Sequence, residues 1–235
     1  MYVFEFSYCK GHFYQSHSFL KTIQLINCQI TRKSCYILSD VAKVTKSINC
    51  IELDHNPIGD GAVDIITSSS LNESGSVKRL SFRFCDLQFS YAGFQGFSCI
   101  QNVKSINLNG NHIMDEGLIH ISRALAENKS LEELHIQSNE IKNKMTSEVY
   151  PLEIVRSVFG TINTTLKELD LSLNFIDETG SASILECMKE RKATSNNKLR
   201  IQISERVSNH IFSKIWAISG GGGKSKGKKK KSKKK

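Results

Sequence analysis

An α/β repeat fold, with short strands alternating with helices in one stacked array, is the class this sequence predicts. Three observations predict it. A fixed spacing of apolar and Asn or Cys positions recurs six times. Between those blocks the apolar period changes from two to about 3.6. The 235-residue chain is 39% apolar and 23% charged, enough for a packed core in water and too polar for a membrane protein.

The recurring template is apolar-x-x-apolar-x-apolar-x-x-(Asn/Cys)-x-apolar. It is filled by Leu20, Ile23, Leu25, Cys28, Ile30; by Ile48, Ile51, Leu53, Asn56, Ile58; and by Val77, Leu80, Phe82, Cys85, Leu87. Three more blocks follow: Val103, Ile106, Leu108, Asn111, Ile113; Leu131, Leu134, Ile136, Asn139, Ile141; and Leu166, Leu169, Leu171, Asn174, Ile176. Their first positions are 28, 29, 26, 28 and 35 residues apart, so the units are near 28 long with one insertion around Lys142 to Glu148. A seventh strand, Leu199 to Ile203, lacks the Asn and the leading apolar residue and reads as a terminal unit.

Two apolar residues one position apart, as in Ile106 and Leu108, point to the same face of a strand, into the stack. The Asn or Cys three residues later sits where the chain leaves the strand. A buried amide there can pair with backbone groups of neighbouring loops that would otherwise be orphaned. Cys28 and Cys85 fill that slot as small, buriable residues without a redox role.

Helices are expected between the strands. Leu118, Ile121 and Leu125, then Leu152, Val155, Val158 and Phe159, then Ala182, Leu185 and Met188 recur at helical spacing. Asp60-Gly61, Asp115-Glu116-Gly117 and Asp177 to Gly180 precede three helices, supplying an acid near the positive helix end and a Gly where the chain turns. Pro57 falls in a strand-to-helix loop, where it breaks nothing.

These blocks, above all Leu166 to Ile176 and Val103 to Gly117, resemble the leucine-rich repeats of the ribonuclease-inhibitor type. The resemblance runs from about Leu20 to Ile203. It implies a leucine-rich-repeat solenoid: a right-handed α/β horseshoe with a parallel strand ladder on the concave side, helices on the convex side, and contacts only between neighbouring units. It does not imply nuclease inhibition, because the repeat is a scaffold for many functions.

The expected organisation is a degenerate N-terminal repeat or cap over 1–19, where Met1, Phe4, Phe6 and Cys9 fit the template but Leu20 follows too soon for a full unit. Repeats over 20–204 come next, about six full units and a terminal strand, then a C-terminal cap helix over 205–219. Val207, Ile211, Phe212, Ile215 and Trp216 give that helix its apolar face. Residues 220–235 form a Gly/Lys-rich tail, expected to be disordered.

The tail carries Lys224, Lys226, Lys228, Lys229, Lys230, Lys231, Lys233, Lys234 and Lys235 and no acid. Against a net charge of +9, these nine lysines leave the first 219 residues neutral. They should attract polyanions, such as nucleic acid or the acidic tails of cytoskeletal polymers, with strength that falls as salt rises. Without arginine or aromatic residues the tail should not read a base sequence.

Seven cysteines with no CxxC pair, and a start without a basic or long apolar segment, suggest a reducing compartment and no signal peptide. Cytoplasm is expected, with a cytoskeletal, ciliary or nuclear association left open. The sequons at Asn72, Asn128 and Asn163 are discounted for the same reason. No membrane span is expected.

The sequence holds no HExxH, no nucleophile elbow and no phosphate loop; Gly220 to Ser225 fails the GxxxxGK[ST] spacing. Neither catalysis, a metal nor a cofactor is expected. The candidate site is therefore the concave face, where residues flanking each core pair point outward. Those proposed for a protein partner are Gln24, Glu52, Asp54, Arg79, Arg83, Asn107, Asn109, His135, Gln137, Asp170 and Ser172. Read across, the strip alternates in sign, which suits a protein better than a nucleic acid. The expected function is a non-enzymatic interaction scaffold, monomeric or part of a larger assembly. A cytoskeletal component resembling the tropomodulin repeat domain, a regulator resembling the Ran GTPase activator, and an RNA- or chromatin-associated protein are the alternatives.

Overall fold

The computed structural model describes residues 19–59, 61–69, 76–88, 100, 102–142, 163–194, 197–204 and 207–220. Strands β1 (Thr22–Gln24), β2 (Cys50–Glu52), β3 (Arg79–Ser81), β4 (Ser105–Asn107), β5 (Glu133–His135), β6 (Glu168–Asp170) and β7 (Arg200–Gln202) form one sheet in chain order. Every pairing is parallel and in step, so Ile23, Ile51, Leu80, Ile106, Leu134, Leu169 and Ile201 make one row. All but Ile23, on the first described strand, are buried. The described helices are α1 (Arg32–Val44), α2 (Ala62–Ser69), α3 (Met114–Glu127), α4 (Glu178–Thr194) and α5 (Asn209–Ile218). The chain is an α/β leucine-rich-repeat solenoid, with the core between sheet and helices.

Parallel strands of three residues are held in register by the template Asn. Asn111 donates from Nδ2 to the carbonyls of Phe82 and Leu108, both at 2.8 Å, and its Oδ1 accepts from the N–H groups of Cys85 at 2.9 Å and Leu87 at 3.2 Å. Asn56 and Asn174 bond in the same way to their own strand and the preceding unit. Buried loop backbone is thus satisfied without a regular ladder. Cys85 keeps half of this role, its thiol donating to the Leu53 carbonyl at 3.1 Å. Cys28 departs from expectation: it is exposed, and its thiol turns back to the Ile26 carbonyl.

The residue before each template Asn or Cys is left-handed: Asn27, His55, Phe84, Gly110, Ser138 and Leu173 all have φ between 51° and 70°. This conformation turns the chain sharply off the strand. Only Gly110 adopts it without a side-chain penalty.

The helices refine the expected spacing. Leu118, Ile121 and Leu125 are buried on α3, and Leu185 and Met188 on α4, but Ala182 faces outward and Ile184 and Cys187 take the inner positions. Asp177 caps α4, accepting from the N–H groups of Thr179 at 2.8 Å and Gly180 at 3.1 Å. Asp115 and Gly117 do not precede α3. They lie inside its first turn, where buried Asp115 accepts from the Lys142 N–H at 2.7 Å and Gly117 is packed inside. The Leu152 to Phe159 segment, Asp60, Asn72, the amino-terminal block and the lysine tail lie outside the described residues.

At the carboxyl end α5 packs on α4 with Ile215 buried and Ile211, Phe212 and Ile218 partly so. Trp216 stands about half exposed at 49%, off the apolar face its spacing suggested. The Ser208 hydroxyl caps α5 through the Ile211 N–H and donates to a Glu178 carboxylate oxygen at 2.6 Å, so the starts of α4 and α5 are tied together.

Candidate functional site

Register fixes what the open face of the sheet presents. One row runs Gln24, Glu52, Ser81, Asn107, His135, Asp170 and Gln202; a second runs Thr22, Cys50, Arg79, Ser105, Glu133, Glu168 and Arg200. A third, just beyond the strands, holds Asp54, Arg83, Asn109, Gln137 and Ser172. All eleven candidate residues therefore lie on one face.

Their side chains are laced from one unit to the next. Gln24 donates to Glu52 at 2.8 Å, and Asn109 Oδ1 accepts from the Gln137 N–H at 2.8 Å. Asp170 accepts from both the N–H and the hydroxyl of Ser172 at 2.9 and 2.6 Å. Asp54 differs from the rest. It is only 7% exposed, accepts from the Ser81 hydroxyl at 2.6 Å and the Arg83 N–H at 2.9 Å, and its second oxygen lies 3.3 Å from Arg83 Nε. Its carboxylate is committed inside the fold and anchors Arg83, whose side chain stays part-exposed. Cys50, on the same strip, is buried, and desolvation raises its thiol pKa.

What remains outward mixes the two signs: part-exposed Glu52 stands beside exposed Arg79, the amides and imidazole of Asn107, Asn109, His135 and Gln137 are part-exposed in the middle, and Glu133, Glu168 and Asp170 are followed by exposed Arg200. Arg200 approaches Glu168 at 3.7 Å, and Gln202 donates to the same side chain at 3.2 Å. Such a strip offers many donors and acceptors and no convergent reactive group. Among the described residues no cluster of three His, Cys, Asp or Glu is arranged to hold a metal.

Sequence reasoning missed the edge of this face. The left-handed Phe84 is about half exposed at 49%, and the His55 ring stacks on it with centroids 4.7 Å apart. The Phe84 ring in turn lies over Gly110, where any Cβ would collide with it. Three successive units thus build one aromatic ledge beside the strip. Farther along, Leu173 and Phe175 are exposed in the sixth unit. The next column holds His112, with Nδ1 2.8 Å from Glu140 and Nε2 3.8 Å from Asp86. The signal was in the sequence: these residues occupy the position just before, or just after, the template Asn or Cys.

Two further features are structural. The discounted sequon residues Asn128 and Asn163 are buried, and each Oδ1 accepts two backbone N–H groups at the entry to the next strand. Buried Arg191 donates to the carbonyls of Asn163 at 2.6 Å and Leu166 at 2.8 Å, and burial lowers its pKa. Among the described residues no helix is long and apolar enough to cross a membrane.

A Leucine Rich repeat family profile matches residues 99–122, 127–144 and 163–184. The pig ribonuclease inhibitor is 25% identical over 73% of this chain and 37% of its own length. The chain is built of leucine-rich repeats similar to those of the ribonuclease inhibitor. The mouse NACHT, LRR and PYD domains-containing protein 4C is 24% identical over 74% of this repeat chain but 17% of its own length. The repeat chain thus spans little more than a third of one relative and less than a fifth of the other. Among solved structures, the leiomodin-1 actin-binding site 2 aligns with 77% of the repeat chain and 88% of its own, at 16% identity and a TM-score of 0.41.

Proposed function

We propose that this leucine-rich repeat chain is a non-enzymatic interaction scaffold that binds a protein partner across its strand face, with the lysine tail adding electrostatic attachment. The carrying observation is the aromatic ledge of His55, Phe84 and Gly110 beside the polar strip of mixed charge. The left-handed turn recurs in every unit, but His55 and Phe84 place stacked rings on it, with Phe84 about half exposed. An exposed aromatic anchor flanked by adaptable amides and outlying charges of both signs is the composition of a protein-binding centre with a polar rim. A duplex or single-stranded nucleic acid would instead require a uniformly positive strip.

The test compares affinity capture by the full chain with capture by Phe84→Ala and by Arg79→Glu combined with Asp170→Lys. Each variant is checked for an unchanged melting curve. These substitutions leave the Asp54 to Arg83 pair intact. Proteins lost by both face variants but retained when the tail lysines are changed to glutamine support the strand-face reading. An identical set on every face variant would overturn it.

A further inference from the structure

The two edges of the sheet differ in charge. Connections leading into the strands carry Lys46, Lys78, Lys104, Lys129, Lys167 and Lys198. Among their described residues the one acid is Glu132, and both Lys104, at 2.9 Å, and Lys167 pair with it. The fold stacks part of this set in a column, because the N–H of Asn49 bonds the Lys21 carbonyl, that of Lys78 the Asn49 carbonyl, that of Lys104 the Lys78 carbonyl, that of Glu132 the Lys104 carbonyl and that of Lys167 the Glu132 carbonyl; Lys46, Lys129 and Lys198 precede that column on the same connections. Successive members are therefore one strand spacing apart, about 4.8 Å. On the opposite edge the charges include Asp86, Glu140 and Asp177.

The last described residue of the carboxyl end joins this basic edge. Gly220 lines one pocket with Lys192 and Lys198, so the lysine-rich sequence that follows starts there. We infer that the strand-entry edge is a second interaction surface and that its ligand is an acidic polypeptide segment. Charge complementarity selects the ligand class. Among the described residues the cations of these connections are ammonium groups, without the arginine forks that grip phosphate, and the exposed ring there, Phe19, stands at the far end. This surface lies across the sheet from Phe84 and stands whichever partner the strand face takes.

The experiment uses the full chain and a fluorescent polyglutamate peptide of about 20 residues, read by anisotropy at about 50 and 300 mM salt, with oligouridylate of similar length in parallel. Three variants are compared: the nine tail lysines changed to glutamine; Lys46→Glu, Lys129→Glu and Lys198→Glu together; and both sets combined. The three edge residues are exposed and lie outside the Glu132 clamp, so the melting curve should hold; the Lys→Gln set at the same sites repeats the reading if it does not. Expected is a loss of at least about tenfold in polyglutamate affinity from the edge set, with or without the tail charges, and a shallower salt dependence. Unchanged polyglutamate binding by the edge set in both tail backgrounds would overturn the surface. Tighter edge-dependent binding of oligouridylate than of polyglutamate would overturn the ligand.

Discussion

Asn111 shows how one side chain replaces a stretch of secondary structure. Its amide satisfies two carbonyls and two N–H groups from two units, all buried. Asn111→Ala should therefore destabilise the fold by roughly 3 kcal/mol, read as a lower midpoint in chemical denaturation, because several buried backbone groups lose their partners at once. The cysteines divide by the same burial logic. Desolvation pushes the thiols of Cys35 and Cys85 up to about 12 and about 11, whereas Cys28 is exposed. Alkylation at about pH 8 should label Cys28 and spare Cys35 and Cys85 in the folded chain; mass mapping showing equal labelling would contradict the packing. At Gly110 a Cβ meets both a left-handed backbone and the Phe84 ring. Gly110→Ala should cost about 1–2 kcal/mol and displace Phe84, reducing partner capture as is expected of Phe84→Ala.

Among the elements, strands of three residues hold together only through what stacks behind them. Leu108 is fully buried between sheet and helices, so Leu108→Asp places an unpaired charge in the stack and should abolish the cooperative melt followed by circular dichroism. The cap helix α5 depends on its own start. Ser208→Ala removes the cap and the hydroxyl bond to Glu178 while the residue's N–H keeps the other carboxylate oxygen at 3.0 Å, and should lower stability by about 1 kcal/mol, seen as a shift of a few degrees in melting temperature. Arg191 acts between elements, carrying the end of α4 to the carbonyls that precede β6.

For the whole molecule, each unit touches its neighbours, so damage in the middle spreads along the array. The buried thiols also give stability a pH dependence. The folded pKa values of Cys35 and Cys85 lie above the ordinary 9.0, so their contribution is complete below about pH 9 and is lost as pH rises toward 11 and 12. Replacing Cys35 with alanine should flatten the fall in melting temperature over that interval; an unchanged slope would show that the thiol is not buried in solution. Charge, too, is a property of the whole: the first 219 residues are neutral in sum, yet the stacking sorts lysines to one edge of the sheet.

The repeat template determined the fold without reference to any contact. Six units, the parallel order of the strands, the buried row from Ile51 to Ile201 and the role of Asn56, Asn111, Asn139 and Asn174 all follow from spacing, because a local pattern of period two and then about 3.6 leaves one way to bury the apolar residues of every unit. What lay beyond reach depended on residues from different units meeting. That Asp54 is spent on Ser81 and Arg83, that His55, Phe84 and Gly110 form one ledge, that Asn128 and Asn163 are buried ties and that the lysines form a column are consequences of register. Register brings together side chains some 28 residues apart, and only the stacked fold decides which of them touch.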